Sequence, residues 1–208
     1  MQSYSQYNQD IILYNNFFKT IDKGYFVDIG AHDGVSLSNT KFFEDLGWEG
    51  VCIEPQPDVY KKLVTNRKCI TIQGAVSDLK KKQIEFCKIT GYSSMLSGII
   101  DYYDERHKER ILSEIQSYEN NTKEKIIVDN YNFNNVIQQE NINLLSIDTE
   151  GGEDKIINSI DFTRYKIDII LFEDNYDDSY NKLNDNVKKY YRPAKYKLGP
   201  DIVLKRID

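Results

Sequence analysis

Apolar and polar residues follow two periods along this chain, and stretches of one period alternate with stretches of the other. Short apolar runs predict buried strands, and apolar residues at helical spacing predict amphipathic helices. The predicted strands are 25–29, 50–54, 68–75, 84–89, 144–148, 167–172, 196–198 and 202–207. The predicted helices are 10–20, 38–46, 58–66 (capped by Asp58) and 133–140, with one more after residue 148. Strands separated by helices indicate an α/β fold with a mostly parallel sheet, here ending in an antiparallel strand pair.

The middle of the chain breaks this pattern. Residues 101–125 are dense in charge and carry few apolar positions, which favours a solvated helix or an ordered lid over a core element. We therefore predict a single domain over residues 1–208, in which 91–125 form an insertion on the substrate side.

Composition and charge narrow the class of protein. The 208 residues include 33 acidic and 27 basic side chains, for a formal charge of −6. This balance argues against a nucleic-acid partner, because phosphate binding requires Lys and Arg. Cys52, Cys69 and Cys87 lie in apolar runs without zinc spacing, which fits a reducing compartment. With no apolar stretch of membrane-spanning length and no signal-peptide pattern at the start, we expect a soluble, cytoplasmic protein, of undetermined oligomeric state.

The turn after the first predicted strand carries the strongest functional signal. It reads DIGAHDG from Asp28 to Gly34, a D-x-G-x-x-x-G pattern. Gly30 permits a sharp turn, and the small Ala31 lets a ligand approach the backbone. Ligands of open α/β sheets bind beyond the carboxyl ends of the strands, where this turn lies. Carboxylates here repel a pyrophosphate but suit a ligand with an ammonium or sulfonium group, such as S-adenosylmethionine.

Glu54 ends the second predicted strand, where a carboxylate can accept hydrogen bonds from both hydroxyls of a ribose. The competing interpretation is that Asp28 is solvated in a loop and that Glu54 is a surface residue ahead of Pro55.

Ordered blocks of sequence extend this signal over nearly the whole chain. They are SQYNQD at 5–10, GYFVDIGAHDG at 24–34, SNT at 38–40, GWEGVCIEP at 47–55, NR at 66–67, AVSD at 75–78, SIDTEGGE at 146–153, and a strand ending in Glu173. With these blocks the chain resembles the FkbM family of S-adenosylmethionine-dependent methyltransferases.

The resemblance implies a class I, Rossmann-like fold: a mostly parallel seven-stranded sheet with an antiparallel edge strand and helices on both faces. It implies O-methylation, with hydroxyl groups of sugars, glycans or natural products as acceptors. It also implies that Gln6 and Asp10 close over the cofactor cleft. The cofactor-binding residues expected from the turn and from the resemblance together are Asp28, Gly30, Ala31 and Gly34 near the methionine part, Glu54 at the ribose, and Ser77 and Asp78 near the adenine.

Acidic residues also follow the later strands, and two mechanisms compete for them. In the first, Asp148 or Glu150 removes the acceptor's proton while Glu173 orients the substrate. In the second, Asp148, Glu173, Asp174 and Asn175 hold Mg²⁺ or Mn²⁺, which lowers the pKa of the acceptor hydroxyl. Glu153 fits equally well as an acid that complements the dipole at a helix N-terminus.

Other candidates for the substrate side are less specific. His32 in the turn is a candidate base, while His107 is interpreted as a surface residue. Residues 92–95 (Tyr-Ser-Ser-Met) are candidates for an acceptor pocket. One further set of residues is a candidate for binding a glycan or a phosphate, and the alternative is that the set forms a solvated helix face. Its members are Tyr102, Tyr103, Arg106, Lys108 and Arg110.

The sequence leaves two functions open besides a sugar O-methyltransferase. One is a methyltransferase for a small polyketide or phenolic acceptor. The other is a catalytically silent module that binds the cofactor for folding or partner assembly.

Overall fold

The computed structural model describes residues 2–174, 178–195 and 198–207. The helices are α1 (Gln9–Leu13), α2 (Lys41–Asp45), α3 (Pro57–Asn66), α4 (Glu105–Ser117), α5 (Phe133–Val136), α6 (Glu153–Ser159), α7 (Ser179–Lys182) and α8 (Asp185–Tyr190). The strands are β1 (Tyr25–Ile29), β2 (Glu49–Glu54), β3 (Ile70–Gln73), β4 (Ala75–Val76), β5 (Gln83–Thr90), β6 (Gly98–Ile99), β7 (Thr122–Tyr131), β8 (Asn141–Ile147), β9 (Lys166–Glu173), β10 (Tyr191–Pro193) and β11 (Asp201–Arg206). None of the described helices has the length and apolar composition needed to cross a membrane.

Seven strands form the main sheet, in the spatial order β10-β11-β9-β8-β1-β2-β3. The five strands from β9 to β3 are parallel, and β11 runs antiparallel to both of its neighbours. The predicted α/β fold with a mostly parallel sheet is thus confirmed. The reversed strand is not the edge strand, however, because β10 pairs with the outer side of β11.

The predicted pairing of the two C-terminal strands is only partly correct. Leu198 and Asp201 exchange backbone hydrogen bonds across the expected turn, but the longer partner of β11 is β10. Tyr191 anchors β10, because its buried hydroxyl donates to the carbonyl of Ile167 at 2.9 Å. Residues 196–197 of the predicted strand lie outside the described residues.

Side chains of the parallel strands alternate between two hydrophobic clusters, one on each face of the sheet. In β1, Phe26 belongs to one cluster and Val27 to the other, as the two-residue period of a strand requires. Helices α1, α2 and α3 cover the Phe26 face, and α5, α6 and α8 cover the Val27 face.

A second, four-stranded sheet has the order β4-β7-β5-β6. Its main part is the antiparallel pair of β5 and β7, and the chain between these strands contains β6 and the charged helix α4. The strand predicted over 68–75 is in fact split, with β3 in the main sheet and β4 in the second. Gly74 lies at the split, with a φ of 150°, and a Cβ there would lie 2.4 Å from the Tyr131 ring. The chain changes sheets at a position where only glycine fits.

Three helix predictions need correction. The helix predicted over 10–20 is α-helical only in α1 and continues as a π-helical turn, Tyr14–Phe18. Helix α5 ends earlier than predicted, because Ile137 is extended and buried in the core. Asp58 does not cap α3, since Pro57 takes the first position and the Asp58 carboxylate pairs with Lys88 at 3.1 Å.

Candidate active site

Four parallel strands bring acidic residues to one edge of the main sheet. Asp28 lies in β1, Glu54 ends β2, Asp148 follows β8 and Glu173 ends β9. The strand order changes direction between β1 and β8, because the chain runs outwards from β1 to β3 and later returns to β8. Open α/β sheets form a ligand crevice at such a point. Two adjoining pockets lie at this edge, and we call them the first and the second pocket.

The turn after β1 fixes the relation between β1 and β8. Gly30 has a φ of 84°, and a Cβ there would lie 1.8 Å from the carbonyl oxygen of Asp148. The backbone N–H groups of Gly30 and Ala31 both donate to the carbonyl of Ile53, at 3.0 and 3.1 Å. Glycine is required at position 30 because the two loops touch there, backbone against backbone.

The first pocket lies where the main sheet meets the second sheet, and its space is about 570 Å³ when the open solvent at its mouth is included. Its apolar walls are Ile29, Ile53, Val76, Phe86 and Ile99. Gly30 and Glu54 line it, as the sequence predicts for a ligand-binding turn, and so does His32.

Glu54 is buried at the end of β2, and its two carboxylate oxygens hold the neighbouring turns. Oε1 accepts the N–H of Gln56 at 2.8 Å, and Oε2 accepts the N–H of His32 at 3.0 Å. Burial raises the pKa of Glu54 to about 7, although both hydrogen bonds favour the ionised form. Each oxygen retains a second lone pair for a ligand hydroxyl. Glu54 is therefore a buried residue and not the surface acid of the competing interpretation.

Asp28 is also buried, but it does not line the first pocket. Its carboxylate accepts a hydrogen bond from the hydroxyl of Thr40 at 2.5 Å, and Arg67 donates to the same hydroxyl at 3.1 Å. Burial raises the pKa of Asp28, and Arg67 and Thr40 oppose that effect. Asp28 thus belongs to a buried polar network beneath the turn.

Four further predicted cofactor residues lie behind the pocket walls. Ala31 packs in a core cluster, and Gly34 packs against α3. The hydroxyl of Ser77 donates to Asn130 at 2.6 Å, and the exposed Asp78 accepts the hydroxyl of Tyr102. None of the four lines the first pocket.

The second pocket adjoins the first, and its space is about 1070 Å³ when the open solvent at its mouth is included. Met95, Asp148 and Glu150 line both pockets. The remaining lining residues come from the N-terminal segment, the loop between β1 and α2, α4, β9 and the C-terminal turn: Gln6, Tyr7, Gln9, Leu37, Asn39, Arg110, Glu173, Gly199, Pro200 and Asp201.

Three carboxylates meet where the pockets join, and we call Asp148, Glu150 and Glu173 the acid cluster. One oxygen of each lies within 4.8 Å of the others. Burial and mutual repulsion raise the pKa of Glu173 to about 9, and those of Asp148 and Glu150 well above their ordinary values. No described residue donates a hydrogen bond to Oε2 of Glu150, which is buried. The backbone of Glu150 has a φ of 55°, a strained conformation that is found preferentially at functional sites.

One of the predicted metal ligands, Asp174, does not join the acid cluster. Asp174 is buried, and its Oδ1 accepts the N–H groups of Asp178 and Ser179, both at 3.1 Å. Asn175 lies outside the described residues. The structure instead groups Glu150 with Asp148 and Glu173.

Glu153 has a local structural role, as its alternative interpretation holds. Its Oε1 accepts the N–H and the hydroxyl of Thr149 and the N–H of Gly151, at 2.8 to 3.0 Å. These bonds fix the loop that carries Glu150 ahead of α6.

Arg110 brings a positive charge from α4 to the acid cluster. Its Nη1 lies 4.0 Å from Oε2 of Glu150, and its Nε lies 3.4 Å from Oε1 of Glu114. It is the only cationic side chain among the described residues that line the second pocket. Arg106 and Lys108 do not reach the pocket and pair with Asp104 and Glu105.

The two histidines differ from each other and from expectation. His32 lines the first pocket, and burial lowers its pKa, which favours a neutral ring near pH 7. The surface interpretation of His107 is wrong, because the residue is only 4% exposed and its ring lies 4.4 Å from that of Tyr103.

The predicted aromatic glycan contacts, Tyr102 and Tyr103, line neither of the two pockets but border a third cavity beside Glu150. Tyr102 and Tyr103 are buried, and Tyr103 donates its hydroxyl to the carbonyl of Leu96 at 2.8 Å. The exposed Tyr92 stacks on Tyr118 and lines neither pocket. Met95 is the member of the 92–95 stretch that reaches both pockets.

Several pocket residues carry no signal in the sequence. Asp201 is buried in the second pocket and accepts Nε2 of Gln9 at 2.7 Å, although the two residues are 192 positions apart. The opening SQYNQD block is the one hint, and Gln6 does line the second pocket. Asp10 instead accepts hydrogen bonds from Ser3 and Ser5, which close the N-terminal turn.

Fold and site together define an α/β protein with paired ligand pockets at the carboxyl edge of its parallel sheet. A family model described as the FkbM methyltransferase domain matches residues 28–198. The chain therefore belongs to the FkbM family of methyltransferases. No curated protein matches the chain. The N-terminal segment and Asp201, which line the second pocket, lie outside the matched range.

Proposed function

We propose that this chain is an S-adenosylmethionine-dependent O-methyltransferase that acts on a hydroxyl group of a sugar or glycan. The observation that carries the proposal is that two pockets share Asp148 and Glu150 as a common wall. Methyl transfer from sulfur to oxygen is an in-line displacement, which requires donor and acceptor to meet in a fixed orientation. Two joined pockets with carboxylates at their junction suit this reaction.

The first pocket fits the donor. Its apolar walls suit an adenine ring, and Glu54 has lone pairs left for the two ribose hydroxyls. The acid cluster at the other end suits a positive charge. When bound, S-adenosylmethionine supplies an electrophilic methyl group on a cationic sulfur. Gly30 and Glu54 are the proposed contacts, and Asp28, Ala31, Gly34, Ser77 and Asp78 support them from behind.

Glu150 is the proposed base for the acceptor hydroxyl, and Asp148 is the alternative. Glu150 has a buried oxygen without a hydrogen-bond donor, and Arg110 lies 4.0 Å from that oxygen. Both Arg110 and a cationic donor lower the pKa of Glu150, because positive charge favours the ionised form. Glu173, with a pKa of about 9, remains protonated at neutral pH and orients the acceptor by donating a hydrogen bond.

Alignment contributes more to this reaction than the base does. Orientation of two reactants lowers a barrier by roughly 7–11 kcal/mol. A positioned base adds on the order of 10²–10⁴-fold in rate, about 3–5.5 kcal/mol. The insertion at 91–125 supports both effects in this proposal, since it supplies Met95 and Arg110 to the second pocket.

A metal-assisted mechanism is the alternative for the same reaction. The oxygens of Asp148, Glu150 and Glu173 are close enough to one another to hold Mg²⁺ or Mn²⁺, and hard cations prefer such ligands. A bound ion would supply Lewis-acid activation of the hydroxyl. We favour direct base chemistry, because Asp174 is occupied at the start of α7 and leaves the ion three protein ligands among the described residues.

The proposal is tested by transfer of a tritiated methyl group from S-adenosylmethionine. Acceptors are supplied as separate panels of neutral glycans, phenols and short RNA. Label on a glycan hydroxyl is the expected result, and label only on phenols would replace the sugar by a small aromatic acceptor. Calorimetric binding of S-adenosylhomocysteine without transfer to any panel would favour the silent module. Full activity in excess chelator excludes the metal mechanism, and activity restored by added Mg²⁺ supports it.

A further inference from the structure

The second pocket contains buried hydrogen-bond acceptors that the fold leaves unpaired. Two of them have no donor among the described residues: Oε2 of Glu150 and Oδ1 of Asn39, both buried. Asp148 and Asp201 add carboxylate oxygens to the same pocket, and Glu173 adds a carboxyl group that is protonated at neutral pH. Buried acceptors are nearly always paired in folded proteins, so unpaired ones in a pocket point to donors on a ligand.

The charge of the pocket restricts the ligand further. Arg110 is the one cation among its described lining residues, and it faces four carboxylates. A phosphate or carboxylate group would meet repulsion from these acids and find a single partner. A neutral ligand with several O–H donors matches the pocket.

Tyr7 gives the pocket a flat apolar surface at its mouth. The residue is 45% exposed, and its ring lies against Gly199, where a Cβ would approach to 2.4 Å from the ring carbon Cδ2. The N–H of Tyr7 donates to Oε1 of Gln9 at 2.7 Å, and Gln9 donates to Asp201 at 2.7 Å. The ring is therefore held in place from behind while part of it remains open.

We propose that the second pocket binds a neutral pyranose ring, with a C–H face of the sugar on Tyr7 and its hydroxyls donating to Asn39 and Glu150. This inference deepens the proposed function, because it assigns the chemical class of the acceptor and the residues that select it. Tyr7 and Asn39 are the binding residues here. Asn39 lies within the residues matched by the family model, 28–198, and Tyr7 lies outside them. Specificity for the sugar thus depends on the N-terminal segment as well as on the methyltransferase core.

Ligand-observed NMR by saturation transfer tests the inference without any need for catalysis. The probes are the methyl α-glycosides of glucose, galactose, rhamnose and fucose, with glucose 6-phosphate and glucuronic acid as anionic counterparts. S-adenosylhomocysteine is present in each sample. We expect saturation of C–H protons on one face of at least one neutral glycoside and none for the two anionic sugars.

Variants then locate the site. Tyr7→Ala is expected to weaken binding of the neutral glycoside about tenfold, and Tyr7→Phe, which keeps the ring, by less than about twofold. Asn39→Ala is expected to weaken it several-fold. Tyr92→Ala is the matched control, because Tyr92 is 73% exposed and lies outside both pockets. Thermal melting of each variant and its affinity for S-adenosylhomocysteine are expected to match those of the unmodified chain.

Three outcomes overturn the inference: no neutral glycoside binds, an anionic sugar binds as tightly, or Tyr7→Ala leaves binding unchanged. Each of these outcomes is a binding result that can be observed without measuring methyl transfer. Glycoside binding that depends on Tyr7 without any methyl transfer would uphold the site and reject the catalytic proposal. Methyl transfer to a phenol without glycoside binding would uphold methyl transfer but reject the sugar site and the sugar acceptor.

Discussion

The carboxylates of the first pocket and those of the acid cluster differ in their hydrogen-bond partners. In the first pocket, both oxygens of Glu54 accept backbone N–H groups, and behind it Asp28 is bonded to Thr40. In the acid cluster, no described residue donates a hydrogen bond to Oε2 of Glu150, and Arg110 at 4.0 Å is its nearest cation. The acids of the first pocket thus hold neighbouring parts of the fold together, while Oε2 of Glu150 at the junction has no donor among the described residues.

This difference indicates that the acid cluster is a region that lowers the stability of the fold. Neighbouring carboxylates repel one another, and burial together with repulsion from Glu150, Glu153 and Asp201 raises the pKa of Glu173 to about 9. The fold stabilises Glu54 with its own backbone but leaves the acid cluster to be neutralised by protons, Arg110 or a bound cation. The predictions below test each side of this contrast.

The largest expected effect is on catalysis at the junction. Glu150→Gln removes the proposed base and should lower methyl-transfer activity by about 10²–10⁴-fold, with little change in the dissociation constant of S-adenosylhomocysteine. Glu114→Gln is the matched control, since it removes the other carboxylate beside Arg110 without touching either pocket. Activity of Glu150→Gln within a few-fold of the unmodified enzyme would assign the base to Asp148 or favour the metal-assisted alternative.

The backbone contact between Gly30 and Asp148, which joins the first pocket to the acid cluster, should be the most sensitive to an added methyl group. Gly30→Ala places a Cβ against the carbonyl of Asp148 and strains a φ of 84°, so we expect a loss of about 3 kcal/mol or more in the free energy of unfolding. Gly47→Ala, with a φ of 93° and nothing within 4 Å of its Cβ, should lose only about 1–2 kcal/mol. Urea denaturation of both variants measures the difference, and equal losses would show that the contact is unimportant.

Donor binding should depend on pH through Glu54. Its pKa is raised to about 7, and the ionised form accepts hydroxyl donors better than the protonated form. The affinity for S-adenosylhomocysteine should therefore fall about twentyfold between about pH 7.5 and about pH 5.5. Isothermal calorimetry across this range tests it, with Glu54→Gln as the comparison. A slope that persists in Glu54→Gln would place the titrating group elsewhere.

The smallest expected effect is on stability at the acid cluster. A carboxyl group whose folded-state pKa is raised stabilises the fold below its unfolded pKa, and this contribution is lost as pH rises towards the folded value of about 9. Glu173→Gln should therefore increase the free energy of unfolding near pH 8 by about 1 kcal/mol, after allowance for partial exposure. The gain should shrink as the pH is lowered towards about 4.5. Lower stability of the variant near pH 8 would mean that Glu173 has a favourable partner in the folded chain.

The sequence determined the fold class and the edge of the sheet where the site lies. Apolar runs alternating with helical stretches required a mostly parallel sheet, and Glu54, Asp148 and Glu173 were placed by the strands that they end. Because a parallel sheet gathers the carboxyl ends of its strands at one edge, local patterns were sufficient to group these acids.

Only the tertiary structure decided which side chains line the two pockets. Asp28 turned towards Thr40, Asp174 towards the start of α7, and Tyr102 into the core. Tyr7 and Asp201 entered the second pocket from opposite ends of the chain. A strand's period fixes which face of the sheet a residue joins, but the partner it meets there depends on segments far away in the sequence, and no local pattern contains that information.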